Sequence, residues 1–227
     1  MTPTLKLAGL FIEFLLLFFA LPAFFAYTRH RIAAIPALWA LTAYCLFILL
    51  RDPGFSDRRL WNMAALPAYI LPVLALFAPV AVIGIVAVWR FAPRGLLLHF
   101  PRSKPRQWGL LLVLYPLLSV YPQGIVYRAF VFERYRALFG PPWAIMLASC
   151  VAFTYAHVIY RNWLALCLTF LGGWLFAFRY WQSGSLMVST FEHALYGCAL
   201  FTLGLGEWFH HAAQVRASKP APAASTM

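Results

Sequence analysis

Five strongly polar side chains interrupt long apolar stretches in the second half of this 227-residue sequence. They are Gln123, Arg128, His157, Glu192 and His193. Histidine and glutamate can transfer protons, and arginine and glutamine can hydrogen-bond a reacting group. Because a charged side chain inside a bilayer costs about 2.5 to 3.5 kcal/mol on insertion scales, each such residue within an apolar span is a candidate functional residue.

These residues stand at helical spacing with their neighbours. Residues three or four positions apart share one face of a helix. The pairs with this spacing are Gly124 with Arg128, Phe153 with His157, and His193 with Tyr196. Three separate helices would each present a small polar or aromatic patch, and we expect the patches to converge. The alternative interpretation is that these groups only hydrogen-bond neighbouring helices to one another.

The elements that must position these residues are predicted membrane spans. The sequence is 63% hydrophobic, and its 18 Lys and Arg with 6 Asp and Glu make only 24 charged residues, which excludes a water-soluble globular enzyme. Seven apolar segments are each long enough to cross, or nearly cross, a hydrocarbon core of about 30 Å. We predict spans at Ala8–Tyr27, Ala33–Leu50, Leu66–Trp89, Gly109–Phe132, Pro142–Tyr160, Trp163–Trp181 and Ser185–Phe209.

The predicted fold class is therefore all-α, a polytopic transmembrane helical bundle of about seven spans. A three-span N-terminal region (residues 1–108) precedes a four-span core (residues 109–210), and the Ala-, Pro- and Ser-rich tail (residues 211–227) is predicted to be disordered. The net charge of +12 comes from short basic clusters between the spans, which is typical of membrane-orienting loops and not of a nucleic-acid interface.

No cofactor is predicted. The four cysteines lie inside apolar stretches and lack the spacing of a zinc site or of a disulfide framework. A zinc ion bound by His157 and His193 would lack the third protein ligand that catalytic zinc normally takes. The predicted partners are the lipid bilayer and a membrane-associated peptide or protein, with no nucleic acid.

Three short motifs follow one another on the predicted fourth, fifth and seventh spans. They are Gln123-Gly124 with Arg128, Phe153 with His157, and Glu192-His193. In this order they resemble the CPBP family of CAAX proteases and bacteriocin-processing enzymes, whose pattern is EExxxR, then FxxxH, then HxxxN or a variant. The arginine, the FxxxH and the last histidine match in order and spacing, and the resemblance covers about Leu110 to Leu205.

The resemblance implies an intramembrane endopeptidase of the glutamic type, formerly regarded as a metalloprotease. In that family a motif glutamate and the residue matching His157 activate a water molecule, while the residue matching His193 and its neighbour stabilise the oxyanion. Arg128 would hold the acidic motif through an i,i+4 pair. The implied substrate is a membrane-delivered peptide, either a CAAX-type prenylated C-terminus or a leader or sorting segment. The implied location is the cytoplasmic (inner) membrane of a bacterial-type cell.

The sequence departs from the family pattern at its acidic motif. Gln123 and Gly124 occupy the two glutamate positions, so neither carries a carboxylate. Gly197 occupies the position of the asparagine in HxxxN, and Tyr196, one residue earlier, is the predicted substitute donor. Whether the chain is an active enzyme therefore depends on what replaces the missing acid.

Three interpretations of the missing acid follow. Glu192 is the candidate replacement base, although its alternative role is the counter-ion of Arg128. The second interpretation is an inactive homologue or a chain whose catalytic acid has been altered. The third, slow chemistry by Gln123 and water alone, is disfavoured because an amide cannot usefully accept a proton. The alternative function is a non-catalytic membrane protein that binds a peptide or a lipid-linked partner; a transporter is disfavoured because no internal repeat is visible.

Overall fold

The computed structural model describes residues 2–27 and 34–206, and every regular element in these two ranges is helical, which confirms the predicted fold class. The predicted tail lies outside the described residues, and the division into regions 1–108 and 109–210 stays a prediction. In chain order the helices are α1 (Pro3–Tyr27), α2 (Ala34–Leu50), α3 (Arg58–Trp61), α4 (Met63–Phe91), α5 (His99–Ser103), α6 (Pro105–Arg134), α7 (Arg136–Phe139), α8 (Pro142–Tyr160), α9 (Trp163–Ser183) and α10 (Leu186–Leu203).

Six of these helices, α1, α4, α6, α8, α9 and α10, are long and apolar enough to cross a membrane. The predicted second span corresponds to α2, which has 17 residues. At a rise of 1.5 Å per residue α2 is about 26 Å long, slightly less than the hydrocarbon core of a bilayer. The start predicted for this span, Ala33, lies outside the described residues. The seven predicted spans therefore correspond to six long helices and one shorter apolar helix.

Side-chain hydrogen bonds cap the N-termini of α9 and α10. At the start of α9, Asn162 Oδ1 accepts a hydrogen bond from the amide N–H of Leu164 at 2.9 Å. At the start of α10, Ser185 Oγ accepts one from the amide N–H of Val188 at 3.4 Å. Each cap satisfies an amide that the first turn of a helix leaves without an intrahelical partner. Asn162 and Ser185 therefore mark where α9 and α10 begin.

Gly204 interrupts the last predicted span. Its φ of +90° lies in the left-handed region that favours glycine, and the carbonyl oxygen of Leu96 is 2.5 Å from the position of a Cβ there. The helix α10 ends one residue earlier, at Leu203. The span predicted at Ser185–Phe209 therefore corresponds to a helix that ends at Leu203, and its predicted end at Phe209 lies outside the described residues.

The long helix α6 contains two π-helical turns, Pro116–Val120 and Ile125–Phe130. Proline within a helix cannot donate a backbone hydrogen bond, and both Pro116 and Pro122 lie in or beside these turns. Such turns inside α-helices are frequent at functional sites. Every residue of the second turn is buried, including the arginine at its centre. The candidate arginine is therefore held by an irregular and fully packed part of the helix.

A partly exposed ion pair joins α1 to the end of α6. Arg134 donates to both carboxylate oxygens of Glu13, at 2.7 and 3.0 Å, and the Tyr135 hydroxyl donates to the same carboxylate at 3.1 Å. Burial and the neighbouring carboxylate raise the pKa of Tyr135 above its ordinary value, so this phenol stays protonated as a donor. Sequence analysis left Glu13 without a partner because the two elements are far apart along the chain.

Burial is distributed unevenly among the spans. Only 6% of the most apolar window of α4 is buried, against 39% for α8 and for α10. The apolar side chains of α4 therefore lie on the surface, as expected for a helix that faces lipid. The helices α6, α8, α9 and α10 form the packed part of the bundle, and they carry all the candidate site residues.

Candidate active site

The ring of Phe153 on α8 lies at the centre of the predicted polar residues. The guanidinium carbon of Arg128 on α6 is 4.7 Å from the ring centroid. The imidazole centroids of His157 and of His193 on α10 are 4.6 and 5.4 Å from it. The three helix patches that the sequence predicted do converge at this ring. The catalytic roles assigned to these residues stay predictions.

Arg128 is buried between two aromatic rings. The side chain is 1% exposed, and its guanidinium carbon lies 4.7 Å from the centroid of Phe153 and 5.3 Å from that of Phe176. Its Nε and Nη2 atoms have no hydrogen-bond partner among the described residues. Cation–π contacts are worth about 2 kcal/mol when they are desolvated, but they leave the N–H donors unused. Arg128 therefore lacks the carboxylate that the motif spacing predicted for it.

His157 is oriented by the backbone of its own helix. Its Nδ1 lies 2.7 Å from the carbonyl oxygen of Phe153, at the point where α8 ends in a turn of 3₁₀ helix. Because a carbonyl oxygen only accepts, Nδ1 must carry the proton in this contact. In the neutral imidazole the Nε2 atom is then an acceptor, which is the state required to orient a water molecule.

His193 is stacked on α9. Its ring lies 4.5 Å from the centroid of Phe176 with an interplanar angle of 22°, and its buried Nδ1 has no hydrogen-bond partner among the described residues. Tyr196 is one turn further along α10, with its ring 5.3 Å from the centroid of Phe77. The buried hydroxyl of Tyr196 is also without a partner in the described part of the chain. Two predicted donors of α10 are thus buried with unused polar atoms.

Of the two positions predicted for the acidic motif, Gly124 lies against α10. An ideal Cβ built on Gly124 would be 2.9 Å from Leu186 Cδ1 and 3.4 Å from Thr190 Oγ1. Because the closest atom is the end of a flexible side chain, a Cβ at this position requires only a shift of that methyl group. The amide nitrogen of Gln123 donates to Ser119 Oγ at 2.7 Å, and its buried Oε1 has no partner among the described residues.

Residues 105–199 match one family model, described as Type II CAAX prenyl endopeptidase Rce1-like. This segment is similar to the CAAX prenyl endopeptidase family. The match confirms the predicted CPBP resemblance, and it covers α6, α8, α9 and α10 as far as Ala199. No curated protein and no solved structure gives a significant match to the chain.

Glu192, the acid next to His193, forms an ion pair that does not involve Arg128. Glu192 is fully buried, and its two carboxylate oxygens accept hydrogen bonds from Arg179 Nε at 2.8 Å and Nη2 at 3.1 Å. The prediction that Glu192 is the counter-ion of Arg128 is therefore wrong. The physical reason is that adjacent residues on a helix point about 100° apart, so Glu192 meets Arg179 on α9 while the His193 ring stacks on Phe176, about one turn earlier on the same helix.

Arg179 is a residue that sequence analysis did not single out. Besides the carboxylate, its Nη1 donates to Gln182 Oε1 at 3.0 Å, and its guanidinium carbon lies 5.6 Å from the ring centroid of Tyr69. The available signal was its position inside the predicted sixth span, where a charge needs a partner. The following predicted span contains Glu192 and Glu207, and Glu192, the nearer of the two along the chain, was the partner to expect.

Tyr115 on α6 lies against Gly197, the residue that corresponds by sequence spacing to the family's asparagine. A Cβ on Gly197 would be 2.5 Å from both the hydroxyl oxygen and the Cε1 of Tyr115, so no side chain fits there without moving that ring. The ring of Tyr115 packs edge-on against Phe201 at 5.2 Å. The role of Tyr196 as the substitute donor stays a prediction. The contact of Tyr115 with Gly197 was not predicted, because the spacing along one helix does not reveal a side chain that arrives from another.

The donor set does not form a metal site. Within residues 2–27 and 34–206, no group of three or more His, Cys, Asp or Glu side chains is placed to hold a metal ion. A catalytic zinc ion normally takes three protein ligands. His157 and His193 alone would leave such an ion without the third.

Proposed function

We propose that the protein binds a membrane-delivered peptide at the cluster around Phe153 and does not hydrolyse it by itself. The observation that carries this proposal is the bidentate ion pair of Glu192 with Arg179, which occupies the only acid next to His193. Gly124 has no side chain to act as the base of the family mechanism. Activation of a water molecule by a carboxylate therefore has no residue to perform it in the described cluster.

The groups that remain are suited to holding a peptide. Arg128 has unused N–H donors, which pair well with carbonyl and carboxylate oxygens. His157 offers Nε2 as an acceptor toward a peptide N–H or a water molecule, since its Nδ1 is engaged by the backbone. We propose the peptide class that the family implies, a CAAX-type C-terminus or a leader or sorting segment that enters from the bilayer.

A second candidate function is slow proteolysis with Glu192 as the base. The observation in its favour is the orientation of His157, whose neutral tautomer leaves Nε2 free to orient a water molecule. For Glu192 to act, its carboxylate must leave Arg179, which then stays buried without its counter-ion. Because breaking such a pair costs several kcal/mol, this function requires a conformational change.

The protein is a multi-pass membrane protein by its six long apolar helices and its family. We propose the cytoplasmic membrane of a bacterial-type cell as its location. The peptide would then reach the cluster around Phe153 from within the bilayer or from its surface.

The test measures peptide cleavage and peptide capture with the same membranes. Vesicles containing the full chain, its Gly124→Glu variant and a Gly109→Glu control are incubated with a panel of prenylated and leader-type peptides that carry a photo-cross-linker. Gly109 lies on the same helix with no atom near its Cβ position, so the control adds an equal charge away from the cluster. His157→Ala is combined with each chain.

The expected result is cleavage by Gly124→Glu alone, dependent on His157, with cross-linking of the peptide to both that variant and the unaltered chain. Cleavage by the unaltered chain, lost in His157→Ala, would establish the second candidate and contradict the first. If no chain cleaves or captures any peptide, the proposed binding function is wrong for these peptide classes.

A further inference from the structure

Several buried polar atoms without partners lie together between α6 and α10. They are Nε and Nη2 of Arg128, Oγ1 of Thr190 and Nδ1 of His193, each without a hydrogen-bond partner among the described residues. Buried polar groups in folded proteins nearly always have partners, so a group of orphaned donors is unusual. All three side chains can donate hydrogen bonds, His193 in its Nδ1–H tautomer.

The geometry brings these atoms to one place beside Gly124. Thr190 Oγ1 is 3.4 Å from the position of a Cβ on Gly124, and Arg128 follows Gly124 by four residues on the same helix. His193 follows Thr190 by three residues and stacks on Phe176, the ring that also contacts the Arg128 guanidinium. The orphaned donors therefore lie on the two helices that pack together at Gly124, where a Cβ would be 2.9 Å from Leu186 Cδ1.

The charge of Arg128 points to an anionic occupant. Three of the chain's acids are bound by other arginines in the described structure, and Asp52 and Asp57 lie in the loop before α3, so none of these five neutralises Arg128. The three bound pairs are Glu13 with Arg134, Glu133 with Arg136, and Glu192 with Arg179. A guanidinium has the planar fork of donors that matches a carboxylate.

We propose that Arg128, Thr190 and His193 bind the free C-terminal carboxylate of the captured peptide, in the space that glycine leaves at position 124. This inference rests on the proposed peptide-binding function and deepens it, since it names the chemical group of the peptide that the site binds. The carboxylate displaces the terminal methyl of Leu186, which lies closest to that space. Arg128 and Thr190 donate to its oxygens, and the charge of Arg128 is neutralised by the ligand instead of by the protein.

The first test compares two forms of one peptide on the full chain in lipid nanodiscs. A farnesylated synthetic peptide is made with a free C-terminal carboxylate and with a C-terminal amide, and both dissociation constants are measured. We expect the acid to bind at least about 10-fold more tightly, because charge-assisted hydrogen bonds are lost in the amide. The difference disappears in Arg128→Gln and in Gly124→Glu, whose own carboxylate takes the space.

Arg51→Gln is the matched control. Arg51 lies 4.1 Å over the ring of Phe47 at an exposed position, so it has the same cation–π chemistry without the orphaned donors. The acid preference must persist in this control. If the acid and the amide bind equally to the unaltered chain, the carboxylate assignment is overturned, and the peptide-binding function stands.

The second test needs no peptide. Sodium formate, a small carboxylate, is added to the purified chain, and its unfolding temperature is compared with that in sodium chloride at equal ionic strength. Formate is expected to raise the unfolding temperature of the unaltered chain, and neither Arg128→Gln nor Gly124→Glu should respond. Absence of any formate effect, together with equal binding of acid and amide, overturns the site.

A fatty acid is the other source of a carboxylate in a bilayer. Dodecanoate is therefore compared with dodecanol as a competitor of the peptide acid and in the unfolding measurement. If dodecanoate stabilises the chain and neither peptide form binds, the proposed peptide function fails and the assignment to a peptide C-terminus is overturned, although the carboxylate site remains. If the peptide acid binds and dodecanoate competes no better than dodecanol, the assignment to the peptide is supported.

Discussion

Two arginines are buried in this bundle, and they are neutralised in different ways. Arg179 is 6% exposed and is held by both oxygens of Glu192 and by Gln182. Arg128 is 1% exposed, its guanidinium carbon lies over the rings of Phe153 and Phe176, and two of its nitrogen atoms have no partner among the described residues. Both arginines lie on helices of the segment that matches the family model. Within residues 2–27 and 34–206, Arg179 has a counter-ion and Arg128 does not.

The difference separates a structural contact from a ligand site. The pair between Arg179 and Glu192 joins α9 to α10 and uses its charges internally. The sequence predicts that Arg128 corresponds to the arginine of the family's acidic motif, and the residue four positions earlier is Gly124. A charge that the fold leaves without a counter-ion destabilises the empty protein and favours whatever anion occupies the site.

The largest expected effect comes from breaking the neutralised pair. Glu192→Gln leaves the buried charge of Arg179 without its counter-ion, and we expect a loss of about 3 to 5 kcal/mol in the free energy of unfolding. The measurement is denaturant unfolding in detergent micelles. A loss below about 1 kcal/mol would contradict the view that this pair is a structural contact.

Glu13→Gln is the control for that prediction. Its ion pair with Arg134 is partly exposed, with side-chain exposures of 21% and 35%, so we expect a loss of about 1 kcal/mol or less. The double variant Arg179→Met with Glu192→Leu removes both charges together, and it should be much closer in stability to the unaltered chain than Glu192→Gln is.

The second prediction gives Arg128 a carboxylate partner within the protein, as Arg179 has in Glu192. Gly124→Glu places a carboxylate one helical turn before Arg128, and we expect a favourable coupling between the two side chains of about 1 to 3 kcal/mol. A double-mutant cycle with Arg128→Met measures it by unfolding. Zero coupling would mean that the two positions do not face each other across the second π turn of α6.

The third prediction concerns whether removing each charge alone raises or lowers the free energy of unfolding. Arg128→Met in the unaltered chain should raise the free energy of unfolding by about 1 kcal/mol, because the desolvation cost of an unpaired charge exceeds the cation–π attraction. Arg179→Met should lower it, since it leaves Glu192 buried without a partner. Thermal unfolding of both variants in one detergent decides the comparison, and equal losses in the two would contradict it.

The sequence was sufficient for the fold class and for the residues that meet at Phe153. Hydropathy located all seven apolar helices, because a bilayer imposes a length on each span. The spacings of Arg128, His157 and His193 placed them correctly, because residues four apart share a helix face. Both inferences depend only on neighbours along one helix.

The sequence was insufficient for contacts that depend on how helices pack. The partner of Glu192 lies 13 residues away on α9, and that of Glu13 lies 121 residues away at the end of α6. Tyr115 reaches Gly197 from a different helix. No periodicity encodes these contacts, since the rotation and offset of each helix are set by tertiary packing. The interruption at Gly204 was missed because a hydropathy average does not register one glycine.

The smallest effect distinguishes an orphaned hydroxyl from a satisfied one. Thr190→Val removes a buried Oγ1 that has no partner in the described residues, so we expect stability to stay within about 0.5 kcal/mol or to rise slightly. Thr42→Val is the matched control, because the buried Oγ1 of Thr42 donates to the carbonyl oxygen of Leu38 at 2.7 Å, and its loss should cost about 1 kcal/mol. The same Thr190 variant should weaken the formate effect on the unfolding temperature, since it removes a donor from the proposed carboxylate site and leaves Arg128 in place. A Thr190→Val chain as destabilised as Thr42→Val, with an unchanged formate response, would show that this hydroxyl is already satisfied and has no part in binding.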